Sequence, residues 1–292
     1  MSGLTPVFLI GAGRSGTKFL RSVLSASRYV VSVPYDVGYV WRYGNESVPH
    51  DELLPSHVNA SIKKYIRNEL PKLVDSASTK KPLFLLEKSV PNSLRPAFLY
   101  EIYPEAKFIH LVRDGRAVTE SSIRQWKSSP ERGYLLKKLR YFPLKNYRYA
   151  IWYIVNMLKG IFLKRGQMTW GPRYNGIDED ARALTVELVC ARQWRKCIEI
   201  AEEQLKVVPK SQVFDINYDK MMEDESVIRE LVDFIGLEDA EQVLERFKIT
   251  VQPTNKDKWR RSLTKGQLEE VNGEVAGTIE KLMKQGKLSQ SK

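Results

Sequence analysis

From Phe8 to Leu20 the chain reads Phe-Leu-Ile-Gly-Ala-Gly-Arg-Ser-Gly-Thr-Lys-Phe-Leu, an apolar strand that runs through a glycine-rich turn into a helix. Three glycines let the backbone approach an anion closely, the free amides of the helix N-terminus point toward it, and Arg14 and Lys18 add positive charge. Such a segment points to a fold in which a strand feeds directly into a helix, where ligands collect at the strand ends.

Four readings of this loop are open on its residues alone. Gly11 to Gly16 has the spacing of a nucleoside-triphosphate loop, but Thr17-Lys18 reverses the expected order of lysine and hydroxyl. The same residues satisfy G-x-G-x-x-G, and Asp36 follows Gly16 by 20 residues after a second apolar run, where a ribose-binding acid belongs. A third reading seats a single 5′-phosphate of a sulfonate donor in the loop, with Arg14 at the bridging oxygen. In the fourth the turn joins strand to helix without a ligand, which two basic side chains in one tight turn argue against.

Apolar, β-branched runs recur at Pro6–Ile10, Tyr29–Val33, Leu83–Leu86, Lys107–Val112 and Gln212–Ile216. Helical patterns lie at Thr17–Ser25, His57–Leu73, Asn92–Tyr103, Gly115–Trp126, Arg182–Gln204, Tyr218–Ile235 and Lys265–Lys284. This alternation predicts an α/β fold: a parallel sheet of about five strands with helices on both faces and ligands at the carboxyl ends of the strands. At 292 residues we expect one domain over 1–292. Residues 128–180 interleave Lys and Arg with Tyr, Trp and Phe and read as an α-rich insertion or lid; 237–292 reads as a C-terminal helical closure. Within the insertion, Ile151–Leu163 is 13 residues long and carries Asn156 and Lys159, too short and too polar for a membrane span and suited to a buried or interfacial helix.

The charge is the one unusual feature of the composition. Lys and Arg number 47 against 35 acids, a formal +12, which favours a polyanionic ligand or an acidic surface as partner. No nucleic-acid motif accompanies the basic and aromatic stretch. Cys190 and Cys197, the only cysteines, fall seven apart in one predicted helix, about 10 Å between Cα atoms, and cannot pair there. Two buried thiols and an N-terminus without a signal-peptide pattern lead to the expectation of a cytoplasmic protein, with peripheral membrane contact open. His110 lies within a predicted strand and reads as a packed residue, and no spacing suggests a metal site.

A second anion site is written into Lys107 to Ser122. Arg113 ends a strand and Ser121 lies about two turns into the next helix, on a side able to face the same ligand. A guanidinium and a hydroxyl so placed can clamp one phosphate.

With these residues on the page, the chain resembles the sulfotransferases that use 3′-phosphoadenosine 5′-phosphosulfate (PAPS). Arg14-Ser15-Gly16-Thr17 is similar to that family's loop for the 5′-phosphate, and Arg113 with Ser121 eight residues later is similar to its clamp for the 3′-phosphate. Glu87-Lys88-Ser89 resembles the Glu-Lys-Ser/Thr segment whose lysine faces the transferred group. Asn217-Tyr218-Asp219 resembles a segment whose tyrosine lies near the adenine, and Lys258-Trp259-Arg260 a basic stretch that closes over the nucleotide. Phe19 stands where cytosolic members have Trp, and Val90 where they have a catalytic His. The resemblance therefore points to the carbohydrate, tyrosylprotein and bacterial branches, and implies a nucleoside-triphosphatase-like fold.

What the resemblance implies is metal-independent in-line transfer of a sulfonate to a hydroxyl, with PAPS as cofactor and the desulfonated nucleotide (PAP) as product. Arg14, Lys88, Asp36 and Glu87 are the candidate catalytic residues: the two cations for charge on the sulfonate and leaving phosphate, Asp36 as base and Glu87 as the second candidate or as a partner that orients Lys88. Arg14, Ser15, Gly16, Thr17, Lys18, Phe19, Arg113, Ser121, Tyr218, Lys258, Trp259 and Arg260 are the candidate nucleotide-binding residues. The acceptor is expected to be a glycan or glycolipid, anionic or membrane-associated, with no nucleic acid as partner; a homodimer is compatible with all of this. The alternatives are a nucleotide- or polyanion-binding module without transfer chemistry, and a kinase of the phosphate-loop type.

Overall fold

The computed structural model describes residues 3–74, 83–127, 170–251 and 258–289. In chain order the elements are β1 (Thr5–Ile10), α1 (Thr17–Leu24), β2 (Val30–Ser32), α2 (Gly38–Trp41), α3 (Ala60–Glu69), β3 (Phe84–Glu87), α4 (Pro96–Ile102), β4 (Lys107–Val112) and α5 (Gly115–Lys127). They continue with α6 (Ile177–Ala183), α7 (Val186–Gln204), β5 (Val213–Asn217), α8 (Tyr218–Glu223), α9 (Ser226–Ile235), α10 (Ala240–Thr250), α11 (Lys258–Ser262) and α12 (Lys265–Lys284).

All five strands are parallel, in the order β2-β3-β1-β4-β5. β1 therefore lies between β3 and β4, and β2 is at an edge. This order separates the first two strands, which a dinucleotide-binding sheet places side by side. Register pairs Phe8 with Glu87, Ile10 with His110 and Val112 with Asn217. Because the strands run the same way, the segments that follow Ile10, Glu87, Val112 and Asn217 all emerge at one edge of the sheet.

Side chains alternate across a strand, and β1 shows how that builds two layers. Val7 and Leu9 enter an apolar cluster with Leu20, Val23 and Leu24 of α1 and with Ile228, Leu231 and Val232 of α9. Phe8 and Ile10 enter the opposite cluster, with Trp41, Ile62, Phe98 and Leu99. Phe8 is fully buried, with Trp41, Tyr103 and Phe108 rings 5.4–5.7 Å from its own. A third cluster joins α5, α7 and α12. Among the described residues no helix is long and apolar enough to cross a membrane.

The expected strands appear within a residue or so of their predicted bounds, and α5 and α12 lie where the helices at Gly115–Trp126 and Lys265–Lys284 are expected. Several predicted helices are divided. Arg182–Gln204 breaks at Leu184 and Thr185, because Leu184 is extended and Thr185 caps α7 by accepting the Leu188 amide. Tyr218–Ile235 breaks at Asp224, whose carboxylate accepts the Ser226 amide at 2.9 Å. The start of Asn92–Tyr103 is a 3₁₀ turn over Val90–Leu94, and α2 was not foreseen. Cys190 and Cys197 are both buried in α7 and are not joined by a disulfide, and His110 is buried in β4. Most of the proposed insertion, residues 128–169, with its apolar run Ile151–Leu163, lies outside the described residues.

Candidate active site

The glycine loop is shaped by two positive φ angles. Gly16, φ 94°, opens α1, and its missing Cβ leaves room for the Tyr218 ring: a Cβ there would stand 2.4 Å from Cε2. Arg14 takes φ 72°, a conformation uncommon for a residue with a side chain. Beneath it Ser15 is fully buried, and its Oγ has no hydrogen-bond partner among the described residues. A buried, unsatisfied hydroxyl beside free helix amides is what a phosphate oxygen would complete.

The second clamp folds onto this loop. Arg14 Nε donates to Ser121 Oγ at 3.0 Å, and Arg113 Nη1 donates to the Arg14 carbonyl at 3.1 Å. The Arg113 guanidinium lies 4.3 Å from the centre of the Tyr218 ring, and its Nε is buried without a partner among the described residues. Partial burial of the Arg14 guanidinium, with like charge on Arg124 and Arg113, pulls its pKa below the ordinary value, opposed by Glu120. Cations gathered this closely call for an anion. Arg14, expected at the bridging oxygen, thus stands in this conformation at the clamp expected for the 3′-phosphate.

Trp259 of α11 is buried against α5, with the Arg116 guanidinium 4.4 Å and that of Arg260 5.0 Å from its ring centre. This brings the C-terminal basic stretch beside the end of β4, although it is separated from Arg113 by more than 140 residues of sequence. Lys258 and Arg260 are exposed there, as is Lys18 on the first turn of α1; Thr17 is buried. Phe19 is turned away from the loop: its ring meets Phe247 of α10 edge-on at 5.9 Å.

Lys88 and Asp36 form the other half of the site. Lys88 Nζ donates to Asp36 Oδ1 at 2.7 Å; the lysine side chain is 3% exposed and the aspartate 31%. Glu87 is wholly buried and does not pair with Lys88. Its carboxylate accepts from Asn92 Nδ2 at 2.6 Å, from Trp41 Nε1 at 3.2 Å and from Ser89 Oγ. Burial pushes its pKa up; the bonds from Ser89 and Trp41 and the charge of Arg95 work against that, and Asp36 works with it. Trp170 closes the loop from the other side, its indole edge 3.4 Å from where a Gly13 Cβ would lie, its carbonyl held by Gln193 Nε2 at 2.9 Å.

Four of the five motifs read from the sequence therefore emerge at one strand-end edge, and the fifth, Lys258-Trp259-Arg260, packs beside it through the Arg116 contact with Trp259. Ser89 was visible only as the third letter of Glu-Lys-Ser, and Trp41, Asn92, Arg116 and Trp170 carried no signal of their own, since their roles arise from contacts between distant segments.

A family model described as a sulfotransferase domain matches residues 4–285. Among solved structures, a sulfotransferase from Alicyclobacillus acidocaldarius is 15% identical, with TM-score 0.52 and coverage of 98% of this chain and 97% of that one. Sulfotransferase STF9 from Mycobacterium avium is 13% identical, with TM-score 0.52 and coverage of 96% and 77%. The sulfotransferase domain of the olefin synthase of Synechococcus PCC 7002 is 14% identical, with TM-score 0.50 and coverage of 94% and 95%. No curated protein matches the chain. At these identities the solved structures speak for the fold, while the family model spans nearly the whole sequence: this chain belongs to the sulfotransferase domain family and is a sulfotransferase enzyme.

Proposed function

We propose that the enzyme transfers the sulfonate of PAPS to a hydroxyl of a glycan or glycolipid. The observation that carries the choice of PAPS is the fusion of two anion sites through Arg14: its backbone belongs to the glycine loop, and its guanidinium meets Ser121 of the Arg113–Ser121 clamp. A nucleotide with phosphates at both its 5′ and 3′ positions matches two such sites, with Tyr218 and Trp259 as the flat surfaces near its base.

In the transfer, the acceptor oxygen bonds to sulfur while the bond from sulfur to the phosphate oxygen breaks. Asp36 takes the hydroxyl proton. Lys88 and the amides of Gly16, Thr17 and Lys18 stabilise charge on the sulfonate and the leaving phosphate. Arg14 joins them at the bridging oxygen by giving up its bond to Ser121. Wholly buried Glu87 takes no part in proton transfer. Residues 1–292 act as one catalytic domain, with Trp170 and the loop after β2 on the acceptor side; the +12 charge suits an anionic acceptor.

The test has two arms. PAP should raise the thermal midpoint more than ATP or NAD does at equal concentration. PAP release from PAPS should then be followed with hexoses, a sulfated oligosaccharide, a glycolipid, a phenol and an aliphatic alcohol. Failure of PAP to stabilise removes PAPS; stabilisation with transfer only to the phenol or alcohol removes the glycan.

A further inference from the structure

The tripeptide Glu87-Lys88-Ser89 holds the loop between β2 and α2 at three successive residues. Lys88 meets Asp36 itself. Ser89 Oγ accepts the backbone N–H of the next residue, Val37, at 3.0 Å and passes its own hydrogen to Glu87. Glu87 in turn takes the indole N–H of Trp41, the last residue of α2. Asn92 completes the set, its Nδ2 on Glu87 and its Oδ1 accepting from Arg95 Nε at 2.8 Å.

Trp41, Glu87, Ser89, Asn92 and Arg95 are each buried to within 1% of complete, whereas the Asp36 side chain at the rim is 31% exposed. α2 is a single turn without a side-chain cap, so its own sequence does not fix where the loop points. A buried carboxylate with three hydrogen-bond donors is the fixed element, and a misplacement of about 1 Å at a reacting group can cost about 100-fold in rate.

We infer that Glu87 and Ser89 are positioning residues for the proton-accepting carboxylate: they grip the backbone and far end of the Asp36 loop so that the carboxylate stands at Lys88. This rests on the proposed function, in which Asp36 receives the acceptor proton. The middle residue of the tripeptide serves the chemistry by meeting Asp36, and its two neighbours, which meet Val37 and Trp41, set the geometry.

The experiment is a double-mutant cycle, read as PAP release from PAPS with the acceptor found in the screen above. Ser89→Ala should lower kcat by about 10–100-fold, with the KM for PAPS and the affinity for PAP held within about twofold. Ser89→Thr, which keeps the hydroxyl, should recover most of the loss. In an Asp36→Asn background Ser89→Ala should cause no further loss, because both act on one group. An equal loss in both backgrounds, or a full kcat in Ser89→Ala, overturns the inference. Full kcat in Asp36→Asn alone instead removes the base assignment and the inference with it. If Ser89→Ala does not fold, Trp41→Phe, which removes the other grip, is read in the same cycle.

Discussion

Lys88 Nζ and Asp36 Oδ1 lie 2.7 Å apart, so the proposed base and the cation that faces the sulfonate neutralise each other across the site. A sulfonate seated in the glycine loop competes for the lysine and releases the carboxylate. Ordered binding follows, with PAPS first. PAP should inhibit competitively against PAPS and non-competitively against the acceptor; a random-order pattern would contradict this coupling.

Removing either partner should act on turnover. Asp36→Asn should lower kcat by about 10²–10⁴-fold, the usual contribution of a positioned base, with PAP affinity by calorimetry little changed. Lys88→Ala should lower kcat comparably.

Gly16→Ala should abolish PAP binding and destabilise the fold. The new Cβ would stand 2.4 Å from the Tyr218 ring, at a φ of 94° that a side chain resists. Calorimetry and a thermal melt report the two losses separately. Tyr218→Ala in the same chain should restore part of the stability, by making room, without restoring affinity.

The Arg113–Ser121 clamp should read the 3′-phosphate. Arg113→Ala should reduce PAP affinity by about 10–150-fold, the value of about 1.5–3 kcal/mol for a hydrogen bond to a charged group, and Ser121→Ala by less. Neither should change the affinity for 5′-AMP much. Equal losses for PAP and 5′-AMP would place the clamp elsewhere on the nucleotide.

Lys287 fastens the C-terminal end of the chain to the sheet. Its ammonium bridges Glu202 at 2.7 Å and Asp215 at 3.0 Å, and His110 Nδ1 lies 2.9 Å from Asp215. Burial would raise the Asp215 carboxyl, but the bond and charge of His110 and the charge of Lys287 outweigh it and hold the pKa below its ordinary value. Burial would lower Lys287, but Glu202 and Asp215 outweigh it and raise it. The stability from Asp215 is thus present above the ordinary carboxyl value of about 3.9 and lost as pH falls through its lower folded value. That from Lys287 is present below about 10.4 and lost as pH rises through its higher folded value. Lys287→Ala should cost about 1–2 kcal/mol, reduced from a fully buried pair because Asp215 is 35% exposed. Thermal melts should show the largest deficit between about pH 4 and 10.

Strands, most helices and the residues of the five motifs were legible in the sequence because each depends on neighbours within one or two turns. Apolar β-branched runs announce β1 and β4, and glycines between a strand and a helix announce the loop. Helix breaks at Thr185 and Asp224 were missed, since a side chain that caps or turns the backbone competes with periodicity over only a few residues. What the linear chain could not express was strand order. Only once β3 and β4 flank β1 do Lys88 and Arg113 come to the Gly11–Gly16 loop, from 72 and 97 residues beyond Gly16.

By itself, then, the sequence determined the alternating α/β plan and which side chains were available for anion binding. Tertiary structure decided their partners: Arg14 with Ser121, Lys88 with Asp36, and Glu87 in a buried network instead of an ion pair with its neighbour. The reason is geometric. Glu87, the last residue of β3, meets Trp41 and Asn92, and Lys88, just past the strand, meets Asp36; contacts of this kind are set by the segments the sheet brings alongside, not by neighbours along the chain.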